Sequence, residues 1–138
     1  MHGDFHLSNV VTSPLDGTAS AVLDWELCTL GEPLADLGGL LAYWPQTGEA
    51  SPTLTSALPG FPSREELAAA YAERTSRSLE TLGFWHVLAL WKVAIIGEGV
   101  LRRAQTDRRN ASLGAAISAQ AVDDLVARAL QVAEAEGL

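Results

Sequence analysis

Over the first 24 residues the apolar positions come in short runs broken by turn-forming residues; after Pro33 they recur at helical spacing. Val10 and Val11 follow a polar loop, Ser13-Pro14-Leu15-Asp16-Gly17 reads as a turn, and Ala19 to Leu23 returns as a short apolar strand. A small hairpin is expected there. Pro33 suits the first turn of a helix that runs through Leu34, Leu37, Leu41 and Trp44, with Pro45 ending it. Residues 45–62 hold four of the six prolines together with Ser, Thr and Gly, which predicts an irregular loop. Ser63-Arg64-Glu65-Glu66 is a capping box, and the helix it starts puts Leu67 and Tyr71 on one face. A longer helix is predicted over about residues 82–105, and a last one over about 112–136, where Ile117, Ala121 and Leu125 recur at spacing four and Gly137 suits a stop. The expected architecture is α+β, mainly α: a β-hairpin followed by about four helices, with no internal repeat.

Composition narrows the class. A chain of 138 residues allows one ordinary domain, here spanning 1–138, with a single core. With 48% hydrophobic and 19% charged residues and a mean hydropathy of +0.13, it is too apolar to stay disordered. The net charge of −8 argues against a nucleic-acid or anionic-membrane surface, which needs clustered positive charge. That charge is unevenly placed: residues 1–100 carry 12 acids and 4 bases, whereas 101–138 carry 5 of each. One cysteine, Cys28, leaves no internal disulfide and no multi-cysteine zinc site. Met1-His2-Gly3-Asp4 is neither a signal peptide nor a basic transit segment. The most apolar stretch, Phe84 to Leu101, is interrupted by His86, Lys92 and Glu98 and reads as a buried helix rather than a membrane span. A cytoplasmic, soluble domain is the expectation.

The residues with chemistry crowd into the first 36. His2-Gly3-Asp4-Phe5-His6-Leu7-Ser8-Asn9 is followed by the hairpin and then by Val22-Leu23-Asp24-Trp25-Glu26. Phosphoryl transfer from a nucleotide needs a carboxylate to receive or orient the acceptor's hydroxyl proton, and oxygen ligands to hold magnesium on the phosphates. An Asp and an Asn five apart in one tight loop can do the first job and part of the second. A further Asp at the end of the paired strand can close the metal site.

In this order the motifs resemble the aminoglycoside-phosphotransferase family of the protein-kinase-like fold. His-Gly-Asp-x-x-x-x-Asn followed by an Asp after an apolar strand looks like the kinase catalytic loop and magnesium-binding segment. Leu30-Gly31-Glu32-Pro33-Leu34-Ala35-Asp36-Leu37 is similar to that family's Gly-Asp-Pro-x-x-Asp-Leu segment, with Glu32 in place of the usual Asp. Asp24-Trp25-Glu26 through Tyr43-Trp44, Phe61 to Leu67, and Ile96-Gly97-Glu98-Gly99 resemble the phosphotransferase domains related to those fused to acyl-CoA dehydrogenases. The resemblance runs from Met1 to about Arg103 and implies a kinase-like C-terminal lobe.

Carried over residue by residue, the resemblance makes Asp4 the catalytic base, and Asn9 and Asp24 the ligands of Mg2+, with ATP or another nucleoside triphosphate as co-substrate. Without it, Asp4 and Asn9 would read as an Asx-type turn and Asp24 as a strand-end cap. His6 stands where protein kinases carry a lysine near the γ-phosphate; a phosphate contact and a loop-stabilising role are both open. Glu26 is a candidate for reaching the metal through water. His2 is expected to pack under the loop, and Asp36 to accept backbone N–H groups from it. Gly3 replaces the arginine with which many regulated kinases read a phosphorylated activation loop.

In a kinase fold the glycine-rich loop and the phosphate-binding lysine precede the catalytic loop. This chain begins two residues before Gly3 and its only lysine is Lys92, so the nucleotide-binding lobe is read as absent, through truncation, a split gene or a misplaced start. Apolar surface around Val10, Val22 and Leu23 is then expected to be exposed, and to favour a homo-oligomer or a partner that supplies the lobe. Two other readings are weighed. Gly3-Asp4-Phe5-His6 superficially resembles a metallophosphoesterase motif, but the further His and Asp clusters of a two-metal site are missing and His86 reads as a core or surface residue. A degenerate, non-catalytic lobe acting as a binding module is the alternative. The acceptor is expected to be a small molecule with a hydroxyl group. The cluster Arg102, Arg103, Arg108 and Arg109 reads either as a solvated helix end or as a contact for an anionic acceptor such as an acyl-CoA. Trp85 and Trp91 are expected to fill the core.

Overall fold

The polar N-terminal loop closes in a 3-10 turn, Leu7–Asn9, that feeds directly into β1, Val10–Thr12. Its antiparallel partner β2, Ala19–Val22, pairs Val10 with Val22 and Val11 with Ala21, with an irregularity after Val11. Asp16 fixes the turn between them: its carboxylate accepts from the amide and the hydroxyl of Thr18 at 3.1 and 2.8 Å, and Gly17 takes the φ of +72° that a side chain would resist. The computed structural model describes residues 1–46, 49, 58–106 and 118–138. Among these the hairpin is followed by four helices: α1, Leu34–Ala42; α2, Arg64–Thr75; α3, Leu82–Thr106; and α4, Ala119–Glu136. This is the α+β, mainly helical C-terminal lobe of a kinase-like fold.

α3 is the central helix. One side buries Ala89, Leu90, Val93 and Ala94 against Leu125 and Ala129 of α4 and Ala42 at the end of α1. Trp85 and Leu82, near its start, pack on Leu34, Leu37 and Leu41 of α1, with Leu67 and Tyr71 of α2 closing that cluster. Gly38 makes the α1–α3 approach possible, since a Cβ there would stand 2.7 Å from the backbone of Trp85. The capping box at Ser63 forms as read: its hydroxyl accepts from Glu66 N at 3.1 Å and Glu66 reaches back to Ser63 N at 2.7 Å.

Arg64 of α2 and Arg128 of α4 converge on Glu49 and also donate to carbonyls at the end of α1, Leu41 O at 3.2 Å and Ala42 O at 2.8 Å. Two cations thus meet the negative end of that helix. Partial burial raises the Glu49 carboxyl, but hydrogen bonds from Arg64 and the Gln46 amide, with the charges of Arg64 and Arg128, outweigh it and hold it at about 2.

Several boundaries differ from the sequence reading. α1 stops at Ala42, and Trp44 lies beyond it, buried, donating its indole N–H to Pro62 O at 2.8 Å. The last helix does not run unbroken from 112: Ser118 is extended and caps α4 by accepting from Ala121 N, a local hydrogen bond that competes with continuation. Ile117, Arg108 and Arg109 lie outside the described residues. α3 is long and apolar enough to cross a membrane by length and composition, yet it is not wholly buried, for Phe84, Leu88, Trp91, Ile95 and Ile96 are exposed. Trp91 is 56% exposed rather than in the core. Six residues turn a helix by roughly 240°, which sets it away from Trp85. Around the hairpin, Val10 and Val22 are half-buried and Leu23 is exposed.

Candidate active site

The amides of His2, Gly3 and Asp4 and the Asp4 carbonyl are all hydrogen-bonded. Asp36, in the first turn of α1, accepts from His2 N at 2.6 Å and Gly3 N at 2.8 Å, one carboxylate oxygen for each amide. Such charge-assisted pairs are about twice as strong as neutral ones. Gly3 has a φ of +89°, and a Cβ on it would meet Leu27 O at 2.5 Å, so no side chain fits where regulated kinases carry arginine. The Asp4 amide donates to His2 Nδ1 at 3.3 Å, and Asp4 O accepts from Asn9 Nδ2 at 2.9 Å.

His2 ties the two halves of the site together. It is buried under the loop, edge-on to Phe5 and against Trp25 with ring centroids 4.7 Å apart. Its Nδ1 accepts from Asp4, which leaves the proton on Nε2, and Nε2 donates to Leu23 O at 2.8 Å, the carbonyl just before Asp24. From the other direction, Leu23 N donates to Asn9 O at 2.8 Å. The hairpin therefore sets Asn9 against Leu23, the residue before Asp24. Asp24 takes a left-handed conformation, φ 64° and ψ 57°, in which the strand turns into the 3-10 segment Trp25–Leu27. Asp and Asn tolerate this better than other side chains.

His6 Nε2 stands 3.5 Å from Asp4 Oδ2 and 3.4 Å from Asn9 Nδ2, and its ring packs on Tyr43 at 5.0 Å. Burial, and then the charge of Asp4, raise the Tyr43 hydroxyl above its ordinary value. Glu26 lies exposed on the 3-10 segment. Asp4 lines a cavity of about 160 Å³ with Gly3, Asp36, Tyr43, Trp85 and Lys92 among its walls.

The oxygen donors suit a hard cation. The Asn9 amide nitrogen is spent on Asp4 O, which leaves its carbonyl oxygen as the available ligand atom. No group of three or more His, Cys, Asp or Glu side chains gathers to hold a metal among the described residues. That is compatible with magnesium, which takes one or two protein carboxylates and keeps phosphate and water oxygens for the rest. Lys92 and Tyr43 were not singled out from sequence for this site. Lys92 stands seven residues after Trp85, on the same face of α3, a signal that periodicity does offer.

Comparison with known proteins assigns the chain to a family. The family model of the phosphotransferase enzyme family matches residues 1–85. Acyl-CoA dehydrogenase family member 11 of Mus musculus is 37% identical over 144 residues, covering 97% of this chain and 18% of that protein. The Homo sapiens protein of the same name is 39% identical over 111 residues, covering 75% and 14%. Acyl-CoA dehydrogenase family member 10 of Mus musculus is 32% identical over 120 residues, covering 81% and 11%. The chain thus spans less than a fifth of the length of these relatives. No solved structure matches. With its motifs in family order and the family model covering most of it, the chain belongs to the phosphotransferase enzyme family.

Proposed function

We propose that the chain is the catalytic-loop lobe of a small-molecule kinase, working with a nucleotide-binding lobe to move the γ-phosphoryl group of ATP to a hydroxyl of a small molecule. The observation that carries this reading is the fixing of Asp4. Its own amide and carbonyl and the Gly3 amide before it are all hydrogen-bonded, while Asp4 itself lines a cavity. In the reaction the acceptor oxygen bonds to the γ-phosphorus as the bond to the β–γ bridging oxygen breaks. Asp4 takes the hydroxyl proton, and ADP leaves. Asn9 and Asp24 would hold Mg2+, which would supply charge neutralisation at the phosphates. Preorganisation is the chain's contribution, because Asp4 need not be reoriented when the acceptor arrives. We take His6, which stands near both Asp4 and Asn9, as a hydrogen-bond donor to a phosphate oxygen. Glu26 serves as an outer support of the metal.

The cavity walls Trp85, Leu88 and Val93 give the acceptor an apolar surface to lie on. We take the acceptor to be a small molecule with a hydroxyl group, and the protein to act in the cytoplasm. The metal assignment is tested with Mn2+ in place of Mg2+, in the presence of ATP and with the nucleotide-binding lobe on the same chain. Paramagnetic broadening should be strongest at the amides of Asn9 and Asp24 and should vanish at this site in Asp24→Ala. Broadening centred elsewhere, or unchanged by Asp24→Ala, contradicts it.

A further inference from the structure

Among the groups that grip the Asp4 loop, one comes from a distant part of the chain. Lys92 Nζ donates to Gly3 O at 3.0 Å, across 89 residues of sequence. It is the only lysine in the protein, and no carboxylate forms a salt bridge with it among the described residues. Gly3 O and the Asp4 amide belong to the same peptide group. That plane is held at its oxygen by Lys92 and at its nitrogen by His2 Nδ1, while the preceding amide is held by Asp36.

The geometry points to Lys92 as a positioning residue for Asp4: we propose that its ammonium, through Gly3 O, sets the orientation of the Gly3–Asp4 peptide and hence where the Asp4 carboxylate stands. This rests on the phosphoryl-transfer reading above. Trp85, Leu88, Ala89, Lys92 and Val93 fall on one face of α3 and line the same cavity as Asp4. The wall that an acceptor would touch and the clamp on the catalytic loop are therefore one rigid element. An ammonium-to-carbonyl bond is charge-assisted, and Gly3 at a φ of +89° has no side chain of its own to restrict the plane, so an external clamp has an effect there.

The test compares Lys92→Met and Lys92→Arg in the full-length phosphotransferase, with the nucleotide-binding lobe present and water or a hydroxyl compound as acceptor. Methionine keeps the apolar stem and removes the donor, whereas arginine keeps a charged donor. Lys92→Met should lower kcat by at least about tenfold with the KM for ATP unchanged, and Lys92→Arg should recover most of it. Hydrogen exchange at the Asp4 amide should speed up in Lys92→Met while the Leu90 and Ala94 amides keep their protection. A Lys92→Met protein with wild-type kcat, or with unchanged exchange at Asp4, overturns the proposal. So does one whose sole change is a higher acceptor KM, which would make Lys92 a substrate contact instead. Asp4→Ala is measured alongside: if it turns over like the wild type, the phosphoryl-transfer reading fails, while the exchange result still judges the Lys92 clamp by itself.

Discussion

Asp36 shows how one side chain can set a site without touching the chemistry. Its two oxygens each take one backbone amide of the catalytic loop, and an amide in its place offers only one acceptor oxygen. Asp36→Asn should therefore leave either His2 N or Gly3 N without its partner, at a cost of about 1–3 kcal/mol in stability. It should also lower turnover by roughly 100-fold through misplacement of Asp4. Thermal melts and kcat together check this, and loss of neither would mean that the loop holds its shape unaided. At this scale part was legible: Asp36, in a segment similar to the family's, accepts the His2 and Gly3 amides as read from the sequence. The Lys92 contact was not: periodicity sets Lys92 on the face of Trp85, but its partner is a backbone carbonyl 89 residues away and carbonyls carry no sequence signature.

Between elements the decisive contact is Gly38 against the backbone at Trp85. A methyl group there stands 2.7 Å from carbonyl atoms that cannot swing aside, so Gly38→Ala should push α3 away from α1. Overpacking of this kind costs about 1–3 kcal/mol. Because α3 also carries Lys92, the variant should lower kcat more than a comparably destabilising change elsewhere, such as loss of the α2 cap in Ser63→Ala. Equal effects of the two on kcat would sink the link between helix packing and loop geometry. The capping box at Ser63 and the hairpin turn at Asp16 were readable because each is closed by residues within three positions of one another. The start of α4 was misplaced because Ala121 and Leu125 continue a helical period across Ser118, and periodicity does not register a hydroxyl that caps.

Taken as a whole, the molecule should be acid-sensitive through its interior. Burial, then the charges of Arg64 and Arg128, bring His86 down to about 4, and its Nε2 finds no hydrogen-bond partner among the described residues. The unfolded chain, with His86 near 6.5, binds the proton first, so stability is intact above that value and falls as pH drops toward about 4. The loss amounts to at most about 3 kcal/mol. Glu49 acts in the same direction lower down: its contribution is present above about 4.5 and disappears as pH falls through about 2. Melting temperatures of the wild type and His86→Phe between pH 7 and 4 should diverge, the variant keeping a flatter profile. Parallel profiles would place the acid sensitivity elsewhere.

If Asp4 is the base of a phosphoryl transfer, held in place before substrate arrives, its loss must show in the transfer itself. The measurement that reaches it most directly is transfer of radiolabelled γ-phosphate from ATP·Mg by the full-length phosphotransferase and its Asp4→Ala variant, with water or a hydroxyl compound as acceptor. The account predicts a fall in kcat of about 10²–10⁴-fold with an unchanged melting temperature, since the side chain acts on the proton and its backbone neighbours keep the loop. Transfer by Asp4→Ala at the wild-type rate would contradict it.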